Sequence, residues 1–543
     1  MGYHHASIRG RRALFASSVL GIAAVTAPLV LHGFPAVAAP RELPVFEVGS
    51  AGLSQEQAAV LGRAFGLKNL DRAEDGSVRF VAEDTFLAVP TKAGKRGKDE
   101  DGNPTVSSVL DLAALKRLKP ISAATALTRS GKALAGAELV PAGGRAKATN
   151  TTVKTVDAKG RATASVAIDT TVSYAFTLAG LPLEGPGAKV RVAYDGKGKP
   201  TSLTYSTRSL VPKGSVAVLD AAGSLERCAK FMGDSVKVRS AVPTYYAPAL
   251  SEQIKTLEPS VRCSGVNTDG TPAQIVTLPA AVEASLPEMP AAPPPRDKPA
   301  GVTGRAFNVV DVGSEGTGPC SGLPYTANNL ASFNNRFKSS GVPVEFSWND
   351  QNAWEQDFKD PSKGGDDSDW TDHVDMAYWQ GHGSPTGFSF AGCSSNDDTF
   401  LANTDARWGN GDVEWMSLFT CLILAEESGG KRWYQRWGPA FDGLHQLNSF
   451  HTVSYHSASH GGTYANYMLR NPFLWWNKPM SVRTAWAQAS IDDQPSSVVW
   501  ASMGAIGAGG AVNLNDYFWG KGSVGADIPA SSVTGYWYIS GTS

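Results

Sequence analysis

The chain has 543 residues, 42% of them apolar and 18% charged, with a net charge of −1. That length exceeds one ordinary domain, and that composition fits globular parts with real cores. So balanced a charge supplies no drive toward nucleic acid or an anionic membrane surface, and neither is expected as a partner.

The N-terminus reads as an export signal. Arg9, Arg11 and Arg12 form a positive region, residues 14–31 an apolar core, and Ala36, Val37 and Ala38 a small-residue cleavage site. Residues 1–38 are therefore expected to be removed, and the paired arginines loosely match a twin-arginine route. No other stretch is long and apolar enough to span a bilayer. The mature protein is expected to be secreted or at the cell surface, with no membrane contact once the signal is cleaved. Export permits disulfides. Of the five cysteines, Cys228 with Cys263 and Cys320 with Cys393 would each pair within one half of the chain, leaving Cys421 over.

Residues 39–285 predict an α+β domain. The stretch SQEQAAVLGRAF (54–65) opens with Ser54 and Gln57 at capping-box spacing and puts Ala58, Leu61 and Phe65 on one helical face. KAGKRGKDEDGN (92–103) is charged and glycine-containing and predicts an exposed loop. Tyr174, Phe176 and Leu178 alternate, as do Val190, Val192 and Tyr194. Asp195, Gly196, Lys197 and Gly198 then predict a turn into a return strand through Leu203 and Tyr205. Residues 181–205, LPLEGPGAKVRVAYDGKGKPTSLTY, resemble the small sheet-forming units of bacterial peptidase propeptides, the PepSY type. This half contains no histidine and offers little catalytic material.

Residues 286–302 are proline-rich and predict an extended linker. Beyond it the chemistry changes, since all 14 tryptophans and every histidine of the mature chain lie in residues 303–543. Strands are predicted at 307–312, 344–348, 374–380 and within 413–424. Leu330, Phe333 and Phe337 predict a helix closed by Gly341, and 353–359 a short one. Strands apolar on both faces fit a parallel sheet covered by helices, with sites forming beyond the carboxyl ends of the strands. His382 and Cys421 fall at two such ends.

Two motifs there carry a resemblance: AYWQGHG (377–383), a hydrophobic strand ending in His-Gly, and WMSLFTC (415–421), a hydrophobic strand ending in cysteine. The pair resembles the caspase-like (clan CD type) cysteine peptidases, a group with caspases, legumains, gingipains, clostripain and separase. The C-terminal half also resembles the bacterial DUF6345 domain family of unknown function, through AYWQGHGSPTGFSF, the WGNGD-EW segment and FDGLHQL. The first resemblance implies a caspase-like α/β/α sandwich with a mostly parallel sheet, and a secreted cysteine peptidase or related acyl-transfer hydrolase without cofactor. Cys421 would be the nucleophile, His382 the proton carrier, and the backbone N–H groups of Gly383 and Cys421 the oxyanion donors. The substrate would be a polypeptide. Asp311 and Trp379 are candidates for its side-chain pocket, where an acid would favour Lys or Arg. The N-terminal domain would then cover the cleft as a propeptide does.

Two alternatives stand beside this reading. One is a catalytically inactive secreted binding or structural protein on the same fold. The other is a metal-dependent hydrolase using His451, His456 and His460, with His445 nearby; spacings of 5 and 4 suit shared ligation, but no HExxH or comparable ligand motif accompanies them.

Overall fold

In the N-terminal half the helix Gln55–Phe65 begins where its capping box lies. Ser54 Oγ accepts the Gln57 N–H at 3.1 Å, and Gln57 Oε1 accepts the Ser54 N–H at 2.9 Å. Ala58, Leu61 and Phe65 are buried against a ten-stranded sheet. The hairpin Lys189–Tyr194 with Pro200–Ser206 forms as the alternation predicts, and Asp195 Oδ1 closes its turn by accepting the Lys197 and Lys199 N–H groups. The charged stretch expected as a loop is mostly a hairpin, Thr91–Lys98 with Pro104–Leu110. Its exposed first strand tolerates charge, and Asp99 Oδ1 accepts the Asn103 N–H at 2.6 Å across the turn. The structure is a computed structural model that describes residues 42–68, 70–99, 102–296, 310–393, 398–472 and 477–543. The segment expected as an export signal, part of the linker and the first residues of the strand predicted at 307–312 lie outside the described residues.

The site rests on a nine-stranded sheet, its strands numbered here along the chain. They are β1 (Thr152–Asp157), β2 (Ala162–Ala167), β3 (Val312–Gly316), β4 (Val344–Asn349), β5 (Met376–Gln380), β6 (Trp415–Phe419), β7 (Gln446–Phe450), β8 (Val499–Ile506) and β9 (Gly535–Thr542). The spatial order is β4-β3-β5-β6-β7-β8-β9-β1-β2. The first five strands in that order are parallel neighbours, and the remaining pairings are antiparallel. The fold is thus α/β with mixed sheets, and the sheet is not the mostly parallel one expected. Two strands of its antiparallel half, β1 and β2, come from before the linker, and β1 pairs β9 near the other end of the chain, a pairing that leaves no local mark in the sequence. Pro40–Ser543 form one unit, with β1 pairing β9 from Thr152↔Ser540 to Asp157↔Gly535.

Period-two alternation sends the side chains of each buried strand to opposite faces. On β5, Met376 and Tyr378 face one core, Ala377 and Trp379 the other; on β6, Trp415 and Phe419 oppose Met416 and Leu418. The first face is covered by α1 (Thr326–Lys338), α2 (His460–Met468) and α3 (Val482–Asp493), through Phe333, Tyr464 and Trp486. Among the described residues the second face lacks long helices. Short 3-10 turns, the three-stranded sheet of His382–Ser384, Gly387–Ser389 and Phe400–Ala402, and the helix Trp433–Trp437 cover it instead. The expected three-layer sandwich is therefore built fully on one side only.

Candidate active site

Strands β5 and β6 run parallel with Gln380 opposite Phe419, so His382 and Cys421 each lie two residues beyond a paired strand end. The Gly381 N–H extends the ladder by donating to the Phe419 carbonyl at 3.4 Å. Gly383 admits no side chain: a Cβ there would stand 2.4 Å from Thr420 Oγ1 and 3.2 Å from the Cys421 carbonyl oxygen. Immediately after Cys421 the chain turns through Leu422 at φ 62°, a left-handed conformation that costs a non-glycine residue of order 1 kcal/mol or more.

Both ring nitrogens of His382 are engaged. The Gln274 backbone N–H donates to Nδ1 at 3.0 Å, which puts the ring proton on Nε2, and that N–H donates to the Ser321 carbonyl at 2.8 Å. Burial pushes the imidazole down to about 4, so it is neutral at pH 7. Cys421 is fully buried, and its sulfur accepts the Ser454 N–H at 3.4 Å with Ser454 Oγ at 3.7 Å. Burial raises this thiol to about 11, which holds it protonated. No hydrogen bond joins His382 to Cys421. Gln274 links them indirectly, because its side-chain amide donates to the Phe419 carbonyl at 3.0 Å and to Ser454 Oγ at 3.3 Å.

Gln274 belongs to a segment, 269–276, that is joined to residues 454–456 by one parallel bridge. Ile275 bridges Tyr455 in parallel: its N–H donates to the Ser454 carbonyl at 3.0 Å, and its carbonyl accepts the His456 N–H at 2.9 Å. Ser389 Oγ donates to Asp269 Oδ2 at 2.6 Å and lies 3.0 Å from Thr271 Oγ1. Nothing in the sequence around TPAQIV marked it as a partner of the histidine, since such bonding uses backbone groups that every residue carries. Ser321 and Ser454 were missed for the same reason.

The other candidates sit elsewhere. Strand β3 begins only at Val312, so Asp311 precedes it, at the sheet end opposite His382 and Cys421, with its N–H donating to Asp375 Oδ2 at 2.7 Å. The offset arises because the apolar run FNVVDV reads as strand by composition, whereas pairing starts at Val312. Trp379 is core, with ring centroids 4.5 Å from Phe390 and 5.0 Å from Phe388. Cys228–Cys263 and Cys320–Cys393 are disulfides and Cys421 is free.

The histidines do not share a ligand point. His451 contacts the Tyr538 hydroxyl, His456 accepts the Tyr325 N–H, and His460 lies between the Tyr378 and Ser490 hydroxyls. His445 is flanked by Asp516 and Asp527 at 2.7 and 3.0 Å. Among the described residues the three-residue group with metal-binding proximity is Cys320, Asp350 and Cys393, and its sulfurs are committed to the disulfide. No helix of the described residues is long and apolar enough to cross a membrane, which with the disulfides is compatible with an extracellular protein. Two clefts of about 600 Å³ lie elsewhere, one lined by Arg63, Arg129 and Tyr194 and the other by Arg79, Arg336 and Arg470.

No curated protein matches the chain. Among solved structures, an uncharacterized protein from Eubacterium rectale ATCC 33656 is similar at 13% identity, covering 46% of this chain and 87% of that one with a TM-score of 0.26. The Bacillus megaterium YpeB C-terminal domain is similar at 13% identity over 43% of this chain and 95% of that one, with a TM-score of 0.18. Such scores are too low to argue a shared fold. Residues 314–541, a stretch that holds both His382 and Cys421, match the family model described as "Domain of unknown function (DUF6345)", so the resemblance of the C-terminal half to that family stands.

Proposed function

We propose that the C-terminal half is a caspase-like cysteine hydrolase, exported and acting on polypeptide, whose dyad is closed by segment 269–276 of its own N-terminal half. The observation that carries this reading is the register of β5 and β6. Parallel neighbours lie about 4.8 Å apart, and equal offsets beyond Gln380 and Phe419 bring the His382 and Cys421 backbones alongside each other. The order β4-β3-β5-β6-β7 across the parallel strands and the left-handed Leu422 after the cysteine support it as well.

In the open state the Gln274 N–H would leave Nδ1 of His382. His382 would take the Cys421 proton, the thiolate would attack the substrate carbonyl carbon, and the imidazolium would return the proton to the leaving amine. Water would then release the acyl group from sulfur. The Gly383 and Cys421 N–H groups are assigned to the oxyanion by resemblance alone.

A second reading is favoured by the same contacts. Both nitrogens of His382 are satisfied and the thiol is held protonated, as in a secreted binding or structural protein on an inactive fold. Replacing 269–276 by a Gly-Ser spacer and assaying a fluorogenic peptide library separates the two. Turnover that vanishes with Cys421→Ala and with His382→Ala is expected. A folded spacer variant with no turnover would favour the inactive protein.

A further inference from the structure

The last described residue of the linker ends in an aromatic box. The Arg296 guanidinium carbon lies 3.9 Å from the ring centroid of Trp354, 4.3 Å from Trp348 and 5.0 Å from Trp370. The same guanidinium pairs with the Asp357 carboxylate, and the two side chains are 6% and 0% exposed. Glu315 stands behind Asp357; burial, then the neighbouring carboxylate, raise it well above the usual range.

The main chain leading to Arg296 is gripped separately. Gln351 Nε2 donates to the Pro293 carbonyl, Asn352 Nδ2 donates to the Pro294 carbonyl at 2.8 Å, and the Arg296 N–H donates to Asn352 Oδ1 at 2.6 Å. These bonds read an extended backbone and no side chain. The side chains of Ala291, Ala292, Pro294 and Pro295 are exposed, so Arg296 alone supplies a buried anchor here.

The box is separate in sequence from its occupant. Its walls come from β3, β4 and residues 350–370, all on one side of the linker. Trp348 and Trp370 meet edge to face at 5.8 Å, and Phe346 backs Trp370 at 5.6 Å. Trp354 Nε1 donates to the Gln351 carbonyl at 2.9 Å. Asp350 pins the loop by accepting the Gly318 and Cys320 N–H groups, each at 3.1 Å, beside the Cys320–Cys393 disulfide.

We propose that this box is a binding site for the arginine side chain of an extended peptide, and that linker Arg296 occupies it in cis. Three indole faces and one carboxylate suit a planar guanidinium better than a compact ammonium. Gln351 and Asn352 accept a polyproline-like backbone of any sequence, so the arginine sets the choice. The site stands whether or not Cys421 is catalytic.

The test is calorimetric titration of the full-length Arg296→Ala protein with acetyl-Pro-Pro-Pro-Arg-amide. Saturable binding is expected, weakened roughly tenfold or more for the Lys peptide and lost for the Ala peptide. The unsubstituted protein should bind the Arg peptide at least about tenfold more weakly, because tethered Arg296 competes at high effective concentration. Adding Asp357→Asn should abolish binding. Arg296→Lys keeps a cation in the box if Arg296→Ala does not fold, and the Arg peptide must then displace it. A folded variant that ignores the Arg peptide, or that binds Arg and Ala peptides alike, overturns the proposal.

Discussion

Gln274, from the half of the chain without a histidine, donates its backbone N–H to Nδ1 of His382 over 3.0 Å. That bond occupies the only basic nitrogen of the ring, since Nε2 carries the proton given to Ser321. The proton carrier of the proposed dyad is thereby held idle by a segment 108 residues upstream.

The Gln274 side chain should contribute measurably to closure. Its amide satisfies the Phe419 carbonyl and Ser454 Oγ, and its oxygen lies 3.1 Å from His456 Nδ1. Gln274→Ala removes one partner from each of these buried groups, at a cost of about 1–3 kcal/mol. Denaturant unfolding of the two proteins should show that loss. An unchanged midpoint would mean the segment is held without its glutamine.

The histidine itself makes a pH prediction. Burial lowers His382 to about 4 from an ordinary 6.5, so the folded state binds fewer protons than the unfolded state between those values. Its contribution to stability is full above pH 6.5 and is lost as the pH falls through about 4. Nitrogen-15 NMR should show the neutral Nε2–H tautomer at pH 7 and no protonation down to pH 5. A midpoint near 6.5 in the folded chain contradicts the bonded, buried ring.

His445 carries the opposite sign. Burial opposes its charge, but the carboxylates of Asp516 and Asp527 overcome that and raise it to about 9. Its stabilisation is full below pH 6.5 and is lost as the pH rises through about 9. His445→Gln strands buried Asp516 and should cost roughly 3–5 kcal/mol at pH 6. The gap from the unsubstituted protein, measured by urea unfolding, should shrink between pH 7 and 10. A gap that does not change with pH would assign the loss to packing.

Because β1 pairs β9 across the linker, cutting the linker should not separate the halves. A protease site inserted within 297–302 and cleaved should leave two fragments that co-elute in native buffer and part only in denaturant. Separation on cutting alone would show that the shared sheet contributes little to association.

Much of the strand-level plan was legible because its physics is local. The apolar runs at Val344–Asn349, Met376–Gln380 and Trp415–Phe419 are strands as their composition predicts, and Leu330, Phe333 and Phe337 share the buried face of α1. The joining of β1 and β2 to the sheet was not legible, since register between segments 380 residues apart leaves no local mark. Asp311 was misplaced because FNVVDV reads as strand by composition while pairing begins only at Val312. At the site, side-chain chemistry singled out His382 and Cys421. What occupies them is mostly backbone, through Gln274 N–H, Ser321 C=O and Ser454 N–H, and backbone groups carry no residue signature.

Whether Gln274 keeps a Cys421–His382 pair idle can be read from the alkylation rate of Cys421 by iodoacetamide at pH 7.5. In the intact protein the buried thiol, raised to about 11, should be nearly inert. Replacing 269–276 by the Gly-Ser spacer, which removes the anchored Gln274 N–H from His382, should speed its labelling by at least about tenfold, and adding His382→Ala should remove most of that gain. Labelling that tracks global unfolding alone, with no dependence on His382, would show that Cys421 and His382 do not act as a pair.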